Sequence, residues 1–584
     1  MKRTKSLAVV AGFAMVTLAA CGGDGGDGGG SGSTSKDKFI DPASSFELVE
    51  AEGAAPEVEG AEEGGVITVL VPSDPGPEDL DPTNGWSVLG NSIQQALTNR
   101  SLTQYRRNPE GGTEVVPDLA TDLGTPNEDF TEWTFTIKDG VKWETGDPVT
   151  AEEVKNGILR SFDTETFTSG PGQAYTVGWV DCPEDYAGPT KSGDCDAVQA
   201  DGQELTIRMS KSFPDFNLWS TFMAIGPIPL ENSEFPAYGR APLSTGPYKI
   251  PEGGFRVNES LRLVKNDQWD PATDPARHQY ADEFLIKFDQ DQEKTDQILL
   301  SGNADAATTV ANSLGATNAN ALKEALGSNY IQQTGQCIST RTPDYNKIPQ
   351  LEIRQAIAYG FDFDNVQLAS GNIPGVTRIP AQGLMPPGMA GRKEFFPAGE
   401  QFAYNPEKAK QLLEEAGEPG FKLTYIYDDS DAETKAGAEA EKAGYEAAGF
   451  TVEMIPYQED AYALFDDADS PINKKLNLRA TNWCSDWPAG STMIPPLVQT
   501  GQPYNTSYFS EEEVDQRIEE IATLPIEEQA DAWGDLDEMI AQKYLPNIVT
   551  AYRNDLFGAG ANIGGFTGDA AMSAINYKDL FVKP

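Results

Sequence analysis

Asn405-Pro-Glu-Lys-Ala-Lys-Gln-Leu-Leu-Glu-Glu-Ala-Gly417 is a helix with both ends spelled out. Asn405 supplies an N-cap oxygen, and Pro406 suits the first helical position, where its missing N–H costs nothing. Leu412 and Leu413 fall on the buried face, and Gly417 reads as the left-handed stop. Working outward, Ile353-Arg-Gln-Ala-Ile-Ala-Tyr-Gly360 and the runs 91–102, 511–524 and 526–544 are predicted helices. Strand patterns lie between them. Gly65-Val-Ile-Thr-Val-Leu-Val71 is an apolar run of strand length, and Leu205-Thr-Ile-Arg-Met209 is another strand. Trp133, Phe135 and Ile137 alternate with Thr134 and Thr136, the period of a half-buried strand. Lys138-Asp-Gly140 reads as the turn of a hairpin returning through Val141-Lys-Trp143. Thr150-Ala-Glu-Glu153 is a capping box, opening a helix with Val154, Ile158 and Phe162 on one face. Helices and strands mix along the whole length without an internal repeat, so the class is α/β.

A chain of 584 residues is too long for one core, and two or more domains are expected. Acids outnumber bases 91 to 43, for a net charge of −48. Such a surface repels phosphate backbones and anionic lipid, which argues against nucleic acid as a partner and against peripheral lipid binding. At the N-terminus, Lys2, Arg3 and Lys5 precede the apolar run Leu7 to Leu18, which is too short to span a membrane. It ends in Leu18-Ala-Ala-Cys21, and together these features describe an export signal over 1–20. Leu-Ala-Ala-Cys resembles a bacterial lipobox, which implies cleavage before Cys21 and a diacylglycerol on its sulfur. The protein is then expected on the outer face of the bacterial cell membrane, anchored by lipidated Cys21. Residues 22–64 are rich in Gly, Ser, Glu, Ala and Pro and read as a disordered tether.

The chemistry concentrates in Arg479-Ala-Thr-Asn-Trp-Cys-Ser-Asp-Trp487, which has no helical period. Large aromatics exclude water, and an acid held among them interacts strongly with any cation it meets. Left alone it would protonate, so Asp486 suits a site completed by a cationic ligand. The competing reading makes Trp483 and Trp487 core residues and Asp486 a turn cap. Apart from Cys21, four cysteines in an exported protein suggest two disulfides with three possible pairings. Cys182 and Cys195 bracket the polar loop 183–194 and are paired, which leaves Cys337 with Cys484. Closing the short loop is worth about 3 kcal/mol. No C-x-x-C spacing occurs and His278 is the sole histidine, so neither a metal site nor a cofactor is expected. Arg277-His-Gln279 reads as surface.

Four of these stretches, taken in order, resemble the extracytoplasmic substrate-binding proteins of oligopeptide, dipeptide and nickel ABC importers. They are Trp133 to Phe162, the Thr-Gly-Pro-Tyr turn at Thr245 to Tyr248, Arg354 to Asp362, and Asn405 to Gly417. The resemblance covers about 65–584. It implies a two-lobed periplasmic-binding-protein type II fold with an extra domain inserted in the N-terminal lobe. Lobe I would comprise 65–105, 241–335 and 546–584, the inserted domain 106–240, and lobe II 336–545. In peptide-binding members a Trp-Cys-x-Asp run supplies the acid that grips the ligand's α-ammonium, and Trp483, Cys484 and Asp486 match it. Cys484 also matches a disulfide cysteine of the family.

The resemblance further implies that peptide backbone is clamped between Gly85-Trp86-Ser87-Val88 and Thr481-Asn482-Trp483-Cys484, a form of β-augmentation. Tyr175 of the inserted domain either reaches the ligand or packs. Family members often carry Asp-Tyr where Asp486-Trp487 stands, and no residue is assigned to the peptide carboxylate, so ligand length stays open. The implied role is a monomer that captures peptides, oligopeptides first among them, and hands them to ABC transporter permease subunits. Nickel complexes, haem and oligosaccharides are the rival ligands. A secreted hydrolase is the rival class, but no G-x-S-x-G, H-E-x-x-H or P-loop occurs and no catalytic residue is assigned.

Overall fold

The computed structural model describes residues 46–108, 111–395, 402–467 and 469–584. The expected signal over 1–20 and the lipidated Cys21 lie outside them. Strand Val66–Pro72 buries Ile67, Val69 and Val71 and runs parallel to Glu283–Gln290 on one side and Thr309–Ala311 on the other. Thr309–Ala311 pairs antiparallel with the far end of Ile548–Ala559. That strand pairs antiparallel with Tyr330–Pro343, which pairs in turn with Leu478–Cys484 at the edge of the sheet.

Two of these strands join the lobes. Tyr330–Pro343 has 14 residues and Ile548–Ala559 has 12, long enough for roughly 40–45 Å of continuous backbone. Their pairing is interrupted between Thr334 and Ile338. On one side of the break the side chains join a core built on Ile67, Val69, Leu263, Ile286, Phe557 and Ile575. On the other side they meet the cores around Ile353, Leu412 and Leu423 and around Met493, Ile518 and Trp533. A third body gathers on Trp133, Phe135, Val154, Ile158, Leu205 and Ile207, all from the segment that interrupts the first lobe.

Local signals explain most elements. Asn405 accepts the Lys408 N–H at 3.0 Å, helix Pro406–Glu415 follows, and Gly417 stops it at φ +75°. The Thr150–Glu153 capping box forms at the head of helix Ala151–Arg160. The hairpin expected at Lys138–Gly140 does not form. Glu132–Thr136 pairs with Glu204–Arg208, while Val141 and Trp143 turn through Gly146 onto Asp147 and Val149. The helix expected at 91–102 is Val88–Leu97, with Thr103–Arg107 already a strand.

The tether, expected to run to 64, is fixed from Phe46 onward. Phe46–Leu48 pairs parallel with Thr113, Glu114 and Val115, and Phe46 and Leu48 pack on the inserted domain's core. Ala55 N–H then donates to the Asp274 carbonyl and Gly64 N–H to that of Tyr280. Two apolar side chains and a row of backbone hydrogen bonds outweigh the unfavourable composition.

Arg277, expected at the surface, is fully buried. Its guanidinium donates to Asp118 at 2.8 Å and Asp274 at 3.1 Å, while Arg100 reaches Asp118 at 2.6 Å. Burial alone would raise the Asp274 carboxyl, but Arg277 and Arg100 override it and hold it well below the usual carboxylate range. This quartet joins the end of helix Val88–Leu97 to the loop before Glu283–Gln290. Arg277→Ala would leave two buried acids short of a cation, at a cost of about 3–5 kcal/mol in urea unfolding. A loss below about 1 kcal/mol would show that the quartet is not cooperative.

Candidate functional site

The edge strand Leu478–Cys484 alternates. Thr481 is buried, with its hydroxyl 2.8 Å from that of Thr506, while Ala480, Asn482 and Cys484 are exposed. Cys484 stands opposite Cys337 in the register and is bonded to it, their Cα atoms 4.0 Å apart. The other disulfide joins Cys182 to Cys195. Both pairs are those expected. The long-range one ties the edge strand to Tyr330–Pro343 beside the break in its register.

Beyond Cys484 the chain leaves the strand. Ser485 N–H still donates to the Gln336 carbonyl, and the next two residues reach the inserted domain. Trp487 is fully buried there. Its ring centre lies 5.4 Å from Tyr175, 5.9 Å from Trp179, and 6.2 Å from both Phe213 and Phe222. Its indole N–H donates to Asp215 at 3.1 Å, and the Ser491 hydroxyl donates to the same carboxylate. The core reading therefore holds for Trp487.

It does not hold for Asp486. This carboxylate caps no turn. It accepts a hydrogen bond from the Tyr175 hydroxyl, and among the described residues it forms no ion pair with Lys or Arg. Burial pushes it up to about 6, with the Tyr175 hydrogen bond pulling the other way. Tyr175 is pushed well above its ordinary value, first by burial and then by the Asp486 charge, so it remains a donor. Tyr175 thus packs and reaches the acid at once, and its ring stacks on Trp86 at 6.0 Å. Trp86 is 40% exposed.

Ser87 caps a helix by accepting the Gly90 N–H, and Val88 is already that helix's first residue. The segment expected to be extended over 85–88 therefore stops at Ser87. Trp483 is half-buried, donating from its indole to the Thr492 carbonyl at 2.7 Å and lying 4.6 Å from the Tyr504 ring. A cavity of about 610 Å³ runs beside the edge strand, lined by Ser339, Arg341, Glu441, Tyr462, Ala480 and Asn482. A second, of about 570 Å³, is lined by Ser87, Val88 and Asp555. Asn372 and Arg378 line both, which brings the two expected clamp segments to adjoining spaces.

Sequence reasoning missed Asp215, Tyr462 and Tyr504. Tyr462 donates to the Asn482 carbonyl at 2.8 Å and accepts the Asn482 N–H at 3.1 Å. No local pattern marks these residues, because each matters through a partner far along the chain. Among the described residues no group of three or more His, Cys, Asp or Glu could hold a metal ion, and no helix is long and apolar enough to cross a membrane. His278 is taken up by Asp579 and the Pro56 carbonyl.

Two lobes joined by two strands, with a recessed acid between them, define a binding protein. The chain belongs to the bacterial extracellular solute-binding proteins, family 5, whose middle portion matches residues 114–505. A dipeptide-binding protein of Lactococcus lactis is 24% identical over 499 residues, covering 79% of this chain and 83% of that protein. Among solved structures, clavulanic acid biosynthesis oligopeptide binding protein 2 superposes with a TM-score of 0.78 at 21% identity, covering 91% of this chain and 99% of that one. DppA of Helicobacter pylori, solved with the peptide STSA, gives 0.65 at 17% identity over 90% and 99%. The fold is accordingly the type II periplasmic-binding-protein fold, and the protein is a transport-type binder rather than an enzyme.

Because the Asp486 carboxyl is raised, the folded protein holds a proton there that the unfolded chain has released, between about pH 4 and about 6. The cost of burying the charge is thus fully present above about pH 6 and fades as pH falls through that window. Asp486→Asn should raise the melting temperature more at pH 7.5 than at pH 4.5. In the ligand-free protein, carboxyl NMR should place the Asp486 midpoint near 6, with Tyr175→Phe moving it higher. A midpoint near 4 in both proteins would refute the assigned environment.

Proposed function

We propose that this protein captures peptides by their free amino end between its two lobes and delivers them to the permease subunits of an ABC importer. The observation that carries the reading is Asp486, a half-buried carboxylate whose one partner among the described residues is a neutral hydroxyl, beside the exposed end of a strand edge. An α-ammonium brings the charge this acid lacks, and in low dielectric that pair is far stronger than the phenol contact. Cys484 supplies backbone groups for a ligand lying along the edge, with Asn482 next along it and Trp483 and Thr481 holding the strand from its inner side. Trp86, Ser87 and Tyr175 close the space from the first lobe and the inserted domain.

The names of the relatives support the same ligand class, since they include a dipeptide-binding protein and a structure holding a four-residue peptide. In this reading the protein works as a monomer, held outside the cell membrane by a lipid on Cys21, and closure of the lobes presents the loaded form to the permease. The domain limits at 105, 240, 335 and 545 belong to the same proposal.

A second ligand class has one observation in its favour: Trp86 and Tyr504, 40% and 37% exposed, offer faces on which a sugar ring could stack. The amino group separates the two. Free peptides should raise the melting temperature while their N-acetylated forms do not; equal stabilisation by both would exclude the ammonium as the anchor. Asp486→Ala should weaken peptide binding by about 2–5 kcal/mol in calorimetry, and a loss under about 0.5 kcal/mol would make the residue structural.

A further inference from the structure

In an antiparallel ladder, the backbone groups of successive residues point alternately toward and away from the partner strand. Ser485 N–H points inward, to the Gln336 carbonyl, so Cys484, Asn482 and Ala480 direct theirs outward along the free edge. At Asn482 both outward groups are already taken by one side chain. The Tyr462 hydroxyl donates to the carbonyl at 2.8 Å and accepts the N–H at 3.1 Å. A hydroxyl is donor and acceptor at once, so it closes this pair as a residue of an added strand would. Cys484 is exposed, and its outward groups have no partner among the described residues.

The tyrosine is held where it stands. Asp460 accepts the Tyr462 N–H at 2.9 Å at the head of helix Ala461–Asp466. The Tyr462 ring lies 5.5 Å from Tyr504 and 6.4 Å from Phe465.

Resting on the peptide reading above, we propose that Tyr462 limits ligand length, making this a receptor for peptides of two or three residues. A peptide whose ammonium lies on Asp486 and which runs back along the edge advances about 3.4 Å per residue, in step with the strand. With its first residue beside Ser485, its second faces Cys484 and its fourth faces Asn482. A ligand that stops short of Asn482 leaves the tyrosine alone. A longer one must evict it, exchanging two hydrogen bonds for two others while giving up the ring contacts and ordering more of its own backbone. The added residues therefore gain nothing and cost entropy.

Calorimetry with di-, tri-, tetra- and pentaalanine tests this at constant side chain. The native protein should bind the two shorter peptides at least about tenfold more tightly than the two longer ones. Tyr462→Phe keeps the ring and removes the hydroxyl, and should shrink that ratio by about fivefold or more. Equal affinity for all four peptides in the native protein, or a ratio unchanged in Tyr462→Phe, would overturn the length rule while leaving peptide capture intact. If none of the four binds, the peptide reading itself falls and the rule with it. Hydrogen exchange supplies a check that needs no ligand. The Asn482 amide should exchange at least about tenfold faster in Tyr462→Phe than in the native protein, and an unchanged rate would refute the seal.

Discussion

A carboxylate moved out of water loses hydration that only a counter-charge or good hydrogen bonds can replace, and at Asp486 the replacement is one phenol from another domain. That arrangement is tolerable but poor, as the upward displacement of the carboxyl shows. Three neighbouring features fix its position. The disulfide between Cys337 and Cys484 fixes where the edge strand ends, and the Ser485 hydrogen bond fixes where the chain turns away. Burial of Trp487 fixes how deep the acid sits. A nearby arginine would satisfy Asp486 and stabilise the protein, and in the proposed reading it would also displace the ligand's ammonium.

Trp487 also ties the end of the edge strand to the inserted domain. Its indole lies within that domain's core, and Asp215 holds both it and Ser491. The pairing of the two strands that join the lobes is broken between Thr334 and Ile338 and again between Ser339 and Thr340, where a swing of the lobes would meet least resistance. Any such swing either draws a fully buried indole from its nest or carries the inserted domain along. Losing the burial of one large aromatic costs about 3–5 kcal/mol by analogy with truncation, and parting the inserted domain from lobe I would break the buried Arg277–Asp118 and Arg160–Asp81 pairs.

What could be read from the sequence was local. The caps at Asn405 and Thr150, the stop at Gly417 and the strand at 65–71 depend on neighbours within a few residues, and they appear where the pattern put them. The short disulfide followed from a loop whose ends had to meet, and the long one then followed by remainder. Arg277 departs from the surface reading because a polar triplet resembles surface until Asp118, far away in sequence, is known to face it. The segment from Phe46 was misread for a related reason: composition reports average apolar content, whereas Phe46 and Leu48 needed one receptive patch. Asp486 stands among the aromatics its neighbours in sequence suggest, but its phenol partner is 311 residues away and no spacing rule reaches that far.

The edge strand shows why function and stability have to be reconciled residue by residue. An unpaired edge is a hazard, since any passing strand can add to it. A receptor that binds extended chains by that edge cannot cover it permanently with helix, loop or charge. Along Leu478–Cys484 the compromise is uneven. Asn482 is sealed by the Tyr462 hydroxyl, while the outward groups of Cys484, beside the recessed acid, have no partner among the described residues. Backbone pairing offers little discrimination among sequences, so the selectivity of such an edge has to come from its two limits. In the proposed reading those limits are a missing positive charge at Asp486 and the occupied hydrogen-bond pair at Asn482.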